Sequence, residues 1–399
     1  MSRSPSPHRV PGPVGKPDLL AVDFDERPFT VAWELTRSCA LACRHCRAEA
    51  QPKPDPRELS TAEARQVIEQ LVDLSPAVLV LTGGDPMMRR DLFEIVDYAV
   101  QGGLRVAVSP SATALTTRAR LQHLRDLGVS MVHISIDGAC AVTHDAFRGF
   151  PGTFQRSLEI LADCQSLKLP VQIGTTVTRT TNPELPRIAE IVVRYDVGMW
   201  NCFYLVPTGR GRAEEMLDAA QAEASWEWLA ELSENVSFGV RTTAAPQFRR
   251  VSLQRRQRTS TTPIRMAGAG YAFKEAGAAT GIWGGKGEGS KPDLRGVNDG
   301  KGFMFIDRIG NICPSGFLQL PAGNVRDERI ATIYRETELF RRLRDPSALE
   351  GRCGRCEYAD LCGGSRARAY GVSGSYLADD PLCSLNVPPP VAVAEGTAS

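Results

Sequence analysis

Six short apolar runs recur between Phe29 and Pro207, and each of the first five is followed by a stretch of helical periodicity. They are FTVAWEL from Phe29, AVLVLTGG from Ala77, LRVAVSPS from Leu104, SMVHISID from Ser130, PVQIGTTVT from Pro170 and GMWNCFYLVP from Gly198. Strands joined by connections long enough to hold a helix pair in parallel with right-handed crossovers, so the chain is α/β, either a doubly wound sheet or a barrel. Periodicity does not choose between them. The first helix should open at Ser60, with Glu63 at capping-box spacing, and others are expected at 91–101, 117–127, 153–167 and 183–195.

The flanking sequence has a different character. Residues 1–28 hold six Pro and no regular period, which reads as an extended arm. A further helix is expected over Ala213 to Ser233, and the alternation then stops. Between Met266 and Gly302 there are 11 Gly, read as a long loop, either linker or substrate lid. A Cys-rich region runs from Phe303 to Cys383, and the tail after Val387 has a disordered composition.

Composition narrows the function classes. With 47 Lys plus Arg against 46 Asp plus Glu, no general attraction to nucleic acid is expected. No apolar run reaches bilayer length and the opening lacks a secretion signal, so the reading is cytoplasmic with no membrane partner. Eleven Cys is an odd number for a disulfide framework, and clustered thiols in such a chain point to metal or redox chemistry.

Directly after the first strand come Cys39, Cys43 and Cys46, spaced C-x3-C-x2-C. A closed zinc site needs a fourth ligand, and His45, wedged between two of the thiols, is poorly disposed to supply it. On a 4Fe-4S cluster, three thiolates would leave one iron open to a small molecule. This loop resembles the signature of the radical S-adenosylmethionine (SAM) superfamily, which follows the first strand of a partial (β/α)6 TIM-like barrel.

The resemblance implies that SAM chelates the open iron through its amino and carboxylate groups. One electron then cleaves it to a 5′-deoxyadenosyl radical, which takes a hydrogen from the substrate. It further implies that Gly83, Gly84, Asp85 and Pro86, at the end of the second strand, receive the SAM ammonium group, chiefly through backbone carbonyls. Asp85 stands where the family usually has Glu. Ser109, Ser135 and Arg148 fall at family SAM-contact positions, with Arg148 suited to pairing a carboxylate. His45 is placed beside the adenine, as is the Val206-Pro207-Thr208-Gly209 loop. An electron donor such as flavodoxin or ferredoxin is implied as a partner.

The second cluster is Cys353-x2-Cys356-x5-Cys362-x20-Cys383, with Cys313 upstream. Four thiols can close on structural zinc, but the arrangement resembles the SPASM and twitch extensions that bind auxiliary 4Fe-4S clusters. Those with two auxiliary clusters carry seven Cys where this region has five, with Ser365 near the place of another. One auxiliary cluster on Cys353, Cys356, Cys362 and Cys383 is therefore expected, suited to electron transfer. Cys313 is either a buried thiol, a ligand or a redox-active thiol. Cys140, Cys164 and Cys202 are read as core or near-core, and Met199, Trp200 and Phe203 as strand packing.

These readings divide the chain into an arm (1–28), a radical SAM barrel (29–235), a connecting region (236–302), a small α+β SPASM/twitch-like extension (303–387) and a tail (388–399). The C-terminal motifs look most like those of haem and haem d1 biosynthesis proteins, which act on tetrapyrrole propionates. Peptide maturases such as those for mycofactocin share the architecture. The basic run Arg249, Arg250, Arg255, Arg256 and Arg258 is read as a solvated face. A non-catalytic zinc-binding scaffold is the competing class.

Overall fold

The computed structural model describes Leu19 and residues 22–259 and 296–386. Most of the expected arm, most of the Gly-rich stretch and the whole expected tail lie outside the described residues. Each of the six apolar runs forms a strand: β1 Thr30–Glu34, β2 Val78–Thr82, β3 Val106–Val108, β4 Met131–Ser135, β5 Val171–Val177 and β6 Met199–Tyr204. Between them lie α1 Thr61–Leu74, α2 Leu92–Gln101, α3 Arg118–Asp126, α4 Ala141–Arg148, α5 Thr153–Leu167 and α6 Leu185–Arg194. Ser60 and Glu63 cap α1 reciprocally, as their spacing predicts. Helix α4, only eight residues long, is too short to announce itself by period.

The alternation does not stop after the sixth strand, contrary to the sequence pattern. Helix α7 Ala219–Asn235 leads to β7 Gly239–Thr243 and α8 Gln247–Thr259, and β7 pairs in parallel with β6. β7 escaped notice because GVRTT has no buried residue and no apolar run. Helix α7 starts six residues later than expected, where Asp218 and Gln221 form its capping box.

The C-terminal region contributes β8 Phe303–Ile306, β9 Asn311–Cys313 and β10 Gly323–Asn324. Helices α9 Ile330–Glu336, α10 Glu338–Arg344, α11 Gly351–Gly354 and α12 Arg366–Ser373 follow. β8 pairs in parallel with β1, setting Thr30 opposite Phe303, so this region continues the barrel sheet. The ten-stranded order is β10-β9-β8-β1-β2-β3-β4-β5-β6-β7, parallel from β8 through β7.

Strand alternation sorts the side chains onto two faces. Val31, Trp33, Leu79, Leu81, Val106, Val132, Ile134, Ile173 and Trp200 face outward into the core beneath the helices. The opposite positions of β1 through β8, from Thr30 round to Arg241 and Phe303, line one common cavity, so the sheet is curled about it. A closed (β/α)8 barrel is ordinarily filled by bulky branched side chains. Here Ala32, Val80, Ala107 and Ser109 stand at inward positions, and a lumen of about 310 Å³ remains.

Candidate active site

The loop that carries the first three thiols leaves the C-terminal end of β1 and is clamped on β2. Gly84 N–H donates to Thr36 O at 2.8 Å and Asp85 N–H to Ser38 O at 2.6 Å. A Cβ on Gly84 would stand 2.4 Å from Ser38 O. Close approach is thus required there by the chain's own loop. Gly209, at φ 57°, packs on the Cys46 and Arg47 carbonyls in the same way.

Cys39, Cys43, Cys46, His45, Gly83, Gly84, Ser109, Ser135 and Arg148 all line one cavity of about 190 Å³, and Val206 joins them. Asp85 and Pro86 are not in its lining. The Asp85 carboxylate is buried and accepts from Met87 N, Ser111 N and Thr113 Oγ1, so it braces β2 against the loop after β3.

Each of the three sulfurs meets an N–H donor. Leu41 N donates to Cys39 Sγ at 3.3 Å, Ala50 N to Cys46 Sγ at 3.5 Å, and Arg148 Nη1 to Cys43 Sγ at 3.8 Å. Burial pushes the Cys39 and Cys43 thiols up, so without metal they hold their protons at neutral pH. Three N–H donors converging on sulfur suit thiolates, which metal ligation creates, and the residues fit an iron-sulfur cluster. Among the described residues no three such side chains are gathered tightly enough for a single ion. A cluster brings its own iron between the sulfurs and does not need that convergence.

Beneath the sulfurs lies a buried polar group. Arg148 pairs with Asp137, whose Oδ1 accepts from Thr176 N at 2.6 Å. Although burial opposes it, the Arg148 charge holds the Asp137 carboxyl below its usual range. Asp137 N–H donates to His144 Nδ1 at 3.1 Å, and burial depresses the His144 pKa to about 4. His45 stacks on Phe147 at 4.4 Å, its pKa lowered by burial to about 3, so both imidazoles are neutral at pH 7.

Sequence reasoning passed over His133, Thr153, Ser157, Thr176 and Phe317, which line the same cavity, and read Phe203 as packing. The signal for His133 was present: it lies two residues before Ser135 on β4 and shares its face.

The four C-terminal cysteines line a separate small cavity, with Gln247 and Arg250 of α8, Tyr358 and Asp379. Tyr358 N donates to Cys356 Sγ at 3.4 Å, Gly364 N to Cys362 Sγ at 3.5 Å and Arg366 Nη2 to Cys353 Sγ at 3.6 Å. Burial raises Cys353 and Cys383, and pushes Cys362 up to about 12. Cys313 is buried on β9 and is not in this lining.

The basic run is not simply a solvated face. Buried Arg250 grips Glu223 through both Nη atoms at 2.9 and 2.6 Å, and Arg249 Nε donates to Leu361 O at 2.7 Å. The Arg258 side chain is mostly exposed, whereas those of Arg250 and Arg255 are not. Arg249 and Asn298 also line the lumen, and Asn298 Nδ2 donates to Gly364 O at 2.8 Å. A single layer of side chains therefore connects the lumen to the second thiol site.

A parallel, hollow α/β barrel with a three-thiol loop at the C-terminal edge of its strands places those thiols where such folds carry their active sites. Residues 33–192 match the radical SAM superfamily. AdoMet-dependent heme synthases are similar almost end to end. That of Nitratidesulfovibrio vulgaris is 39% identical over 89% of this chain and 91% of its own length, and that of Oleidesulfovibrio alaskensis 38% identical over 89% and 86%. The mycofactocin maturase MftC of Mycobacterium tuberculosis is 29% identical over 90% and 83%. In structure, Streptococcus suis SuiB superposes with a TM-score of 0.66 at 12% identity, covering 90% of this chain and 78% of that one, which shows a shared fold. The chain belongs to the radical SAM superfamily. It is an enzyme that uses a 4Fe-4S cluster and SAM, and the non-catalytic zinc scaffold is set aside. Among the described residues no helix is long and apolar enough to cross a membrane.

Proposed function

We propose that this enzyme acts on the propionate side chains of a tetrapyrrole, and that its near full-length similarity to AdoMet-dependent heme synthases carries the reading. Cys39, Cys43 and Cys46 hold the SAM-binding cluster. Gly83 and Gly84 offer backbone carbonyls to the SAM amino group, with Asp85 and Pro86 shaping that turn from behind. Ser109, Ser135 and Arg148 receive the rest of the methionyl end, and His45 backs the adenine. When bound, the cluster and SAM supply a 5′-deoxyadenosyl radical that takes a substrate hydrogen, after one electron from a flavodoxin- or ferredoxin-type donor.

A propionate that loses a hydrogen atom from the carbon next to the ring becomes a vinyl group by releasing CO2 and one further electron. Cys353, Cys356, Cys362 and Cys383 would hold an auxiliary 4Fe-4S cluster, which would supply an acceptor for this electron. The single layer of Arg249 and Asn298 between lumen and second site supports that role. The lumen wall combines apolar Ala32, Val80, Met131, Met199 and Phe305 with the cations Arg47, Arg241 and Arg249, which suits an apolar ring bearing carboxylates. A ribosomal peptide substrate is the second reading, favoured by the similarity to MftC.

The test is anaerobic turnover of the reconstituted enzyme with reductant, SAM and an iron porphyrin bearing propionates. Release of CO2 with loss of one hydrogen per 5′-deoxyadenosine is expected. Formation of 5′-deoxyadenosine with no change in the porphyrin, whatever the reductant, would exclude the tetrapyrrole substrate.

A further inference from the structure

The thiol-lined cavity and the lumen share part of their lining: Arg47, Thr82, Ser109, His133, Phe203 and Phe317 face both. A hydrogen can pass from substrate to nucleoside only where the two ligands meet, and these residues form that seam. Among them, only Arg47 and His133 carry nitrogen donors that can meet an anion.

Arg47 directly follows Cys46. Its Nη1 donates to the buried Glu34 carboxylate at 2.8 Å, and its guanidinium lies over the Phe305 ring, 4.6 Å from the centroid. Glu34 is in turn held by Arg308 at 3.4 Å, and Arg308 by Asp55 at 3.1 Å, so the guanidinium is fixed from below. Among the described residues Glu34 is the one hydrogen-bond partner of the Arg47 side chain, which leaves further N–H groups of that fork for a ligand.

His133 points inward from β4. Its Nδ1 accepts from Gln172 Nε2 at 2.9 Å, which places the ring proton on Nε2. The ring overlies Gly174, where an added Cβ would stand 2.2 Å from Nε2, and meets the Phe203 edge with centroids 5.6 Å apart. Burial lowers its pKa to about 4, so it is a neutral donor at pH 7. His123 lies against Phe93, His45 is stacked on Phe147, and His144 accepts from Asp137, so among the described imidazoles His133 alone reaches the lumen.

We propose that Arg47 and His133 together bind a carboxylate of the substrate at the seam, and so select the propionate whose hydrogen is taken. The ring system then lies against the apolar wall while the reacting side chain is drawn toward the three thiols. The assignment rests on the tetrapyrrole reading above and adds to it which side chains read the propionate.

Binding to the reconstituted full-length enzyme tests it, using an iron porphyrin with four propionates and the same macrocycle with the propionates converted to neutral amides. The wild type should prefer the carboxylate form. Arg47→Gln and His133→Leu should each erode that preference, by roughly 10- to 100-fold for the charged partner and about 10-fold or less for the neutral one. Arg47→Lys should restore only part of it, because an ammonium lacks the planar fork. Iron content is measured on the same samples. Since Arg47 adjoins Cys46, His133→Leu on the separate strand carries the test if Arg47→Gln loses its cluster. Tight binding of the carboxylate form with undiminished preference in the cluster-containing variants overturns the assignment while leaving the tetrapyrrole reading standing. Failure of the wild type to bind either porphyrin overturns both.

Discussion

Burying a guanidinium beside a carboxylate makes each depend on the other. Asp137 is fully buried and Arg148 nearly so, and the pair sits directly beneath Cys43. Asp137→Asn would leave a buried cation without its counter-charge, and we expect a loss of about 3–5 kcal/mol. Chemical denaturation of the metal-free protein checks this, and a loss under about 1 kcal/mol would show the site relaxing around the cation. His144 gives a pH dependence of known sign. Its folded pKa of about 4 is below the ordinary imidazole value near 6.5. Its contribution to stability is therefore complete above about pH 6.5 and is lost as pH falls toward 4, on the order of 3 kcal/mol in all. His144→Gln should make the stability profile less steep in that window, where buried His45 and His133 supply the remainder; an unchanged slope would place the acid sensitivity in other groups. Both residues stood in plain view, in Ser135-Ile136-Asp137-Gly138 and His144-Asp145, beside positions chosen for SAM. What hid their partnership is that Asp137 meets Arg148 and His144 only after α4 folds back over the end of β4, a contact no linear spacing encodes.

At the level of elements, the second thiol site depends on how α12 is tied to the barrel. Arg368 of α12 is wholly buried and grips Asp380 through Nε at 2.8 Å and Nη2 at 2.7 Å. Asp380 also accepts from Ser365 N at 2.7 Å and from Gln247 Nε2 of α8 at 2.7 Å, while Arg368 Nη1 donates to Ala244 O. The turn bearing Cys362 and the segment leading to Cys383 are thus fixed to the β7–α8 unit by one carboxylate. Asp380→Ala should cost about 3–5 kcal/mol and lower iron at the second site before the first. Iron analysis after mild chelation would check the order; equal loss from both sites would contradict it. The strands and first capping box were legible because they follow periods of two and of about 3.6 residues. The β7–α8 unit was not, since its strand is half-exposed and polar and its helix is basic along much of its length. The same feature made Arg249 and Arg250 look like a solvated face, although one braces the turn before Cys362 and the other grips α7 through Glu223.

For the whole molecule, the two cysteine groups were legible as separate sites because ligand spacing is local. Their relation to each other was not, because the lumen between them is made by small inward side chains contributed by strands far apart in sequence. That relation matters for electron accounting. On the proposed tetrapyrrole reading, the electron that starts the reaction would enter at the first site and be spent in cleaving SAM, while the electron released with CO2 would need a different exit. If the four C-terminal thiols hold that exit, removing one ligand should separate the two halves of the reaction. Cys356→Ser should then lower the iron content by about four per chain, if one cubane is lost, and leave 5′-deoxyadenosine formation running. Decarboxylated product should fall by at least about tenfold, so that SAM is consumed without matching turnover. Cys43→Ala should instead abolish 5′-deoxyadenosine itself. Quantifying iron, 5′-deoxyadenosine and CO2 in the two variants distinguishes these cases. Product formation at wild-type coupling in Cys356→Ser would mean that the substrate electron leaves by another route, whereas an unchanged iron count would reject the four-thiol ligand set.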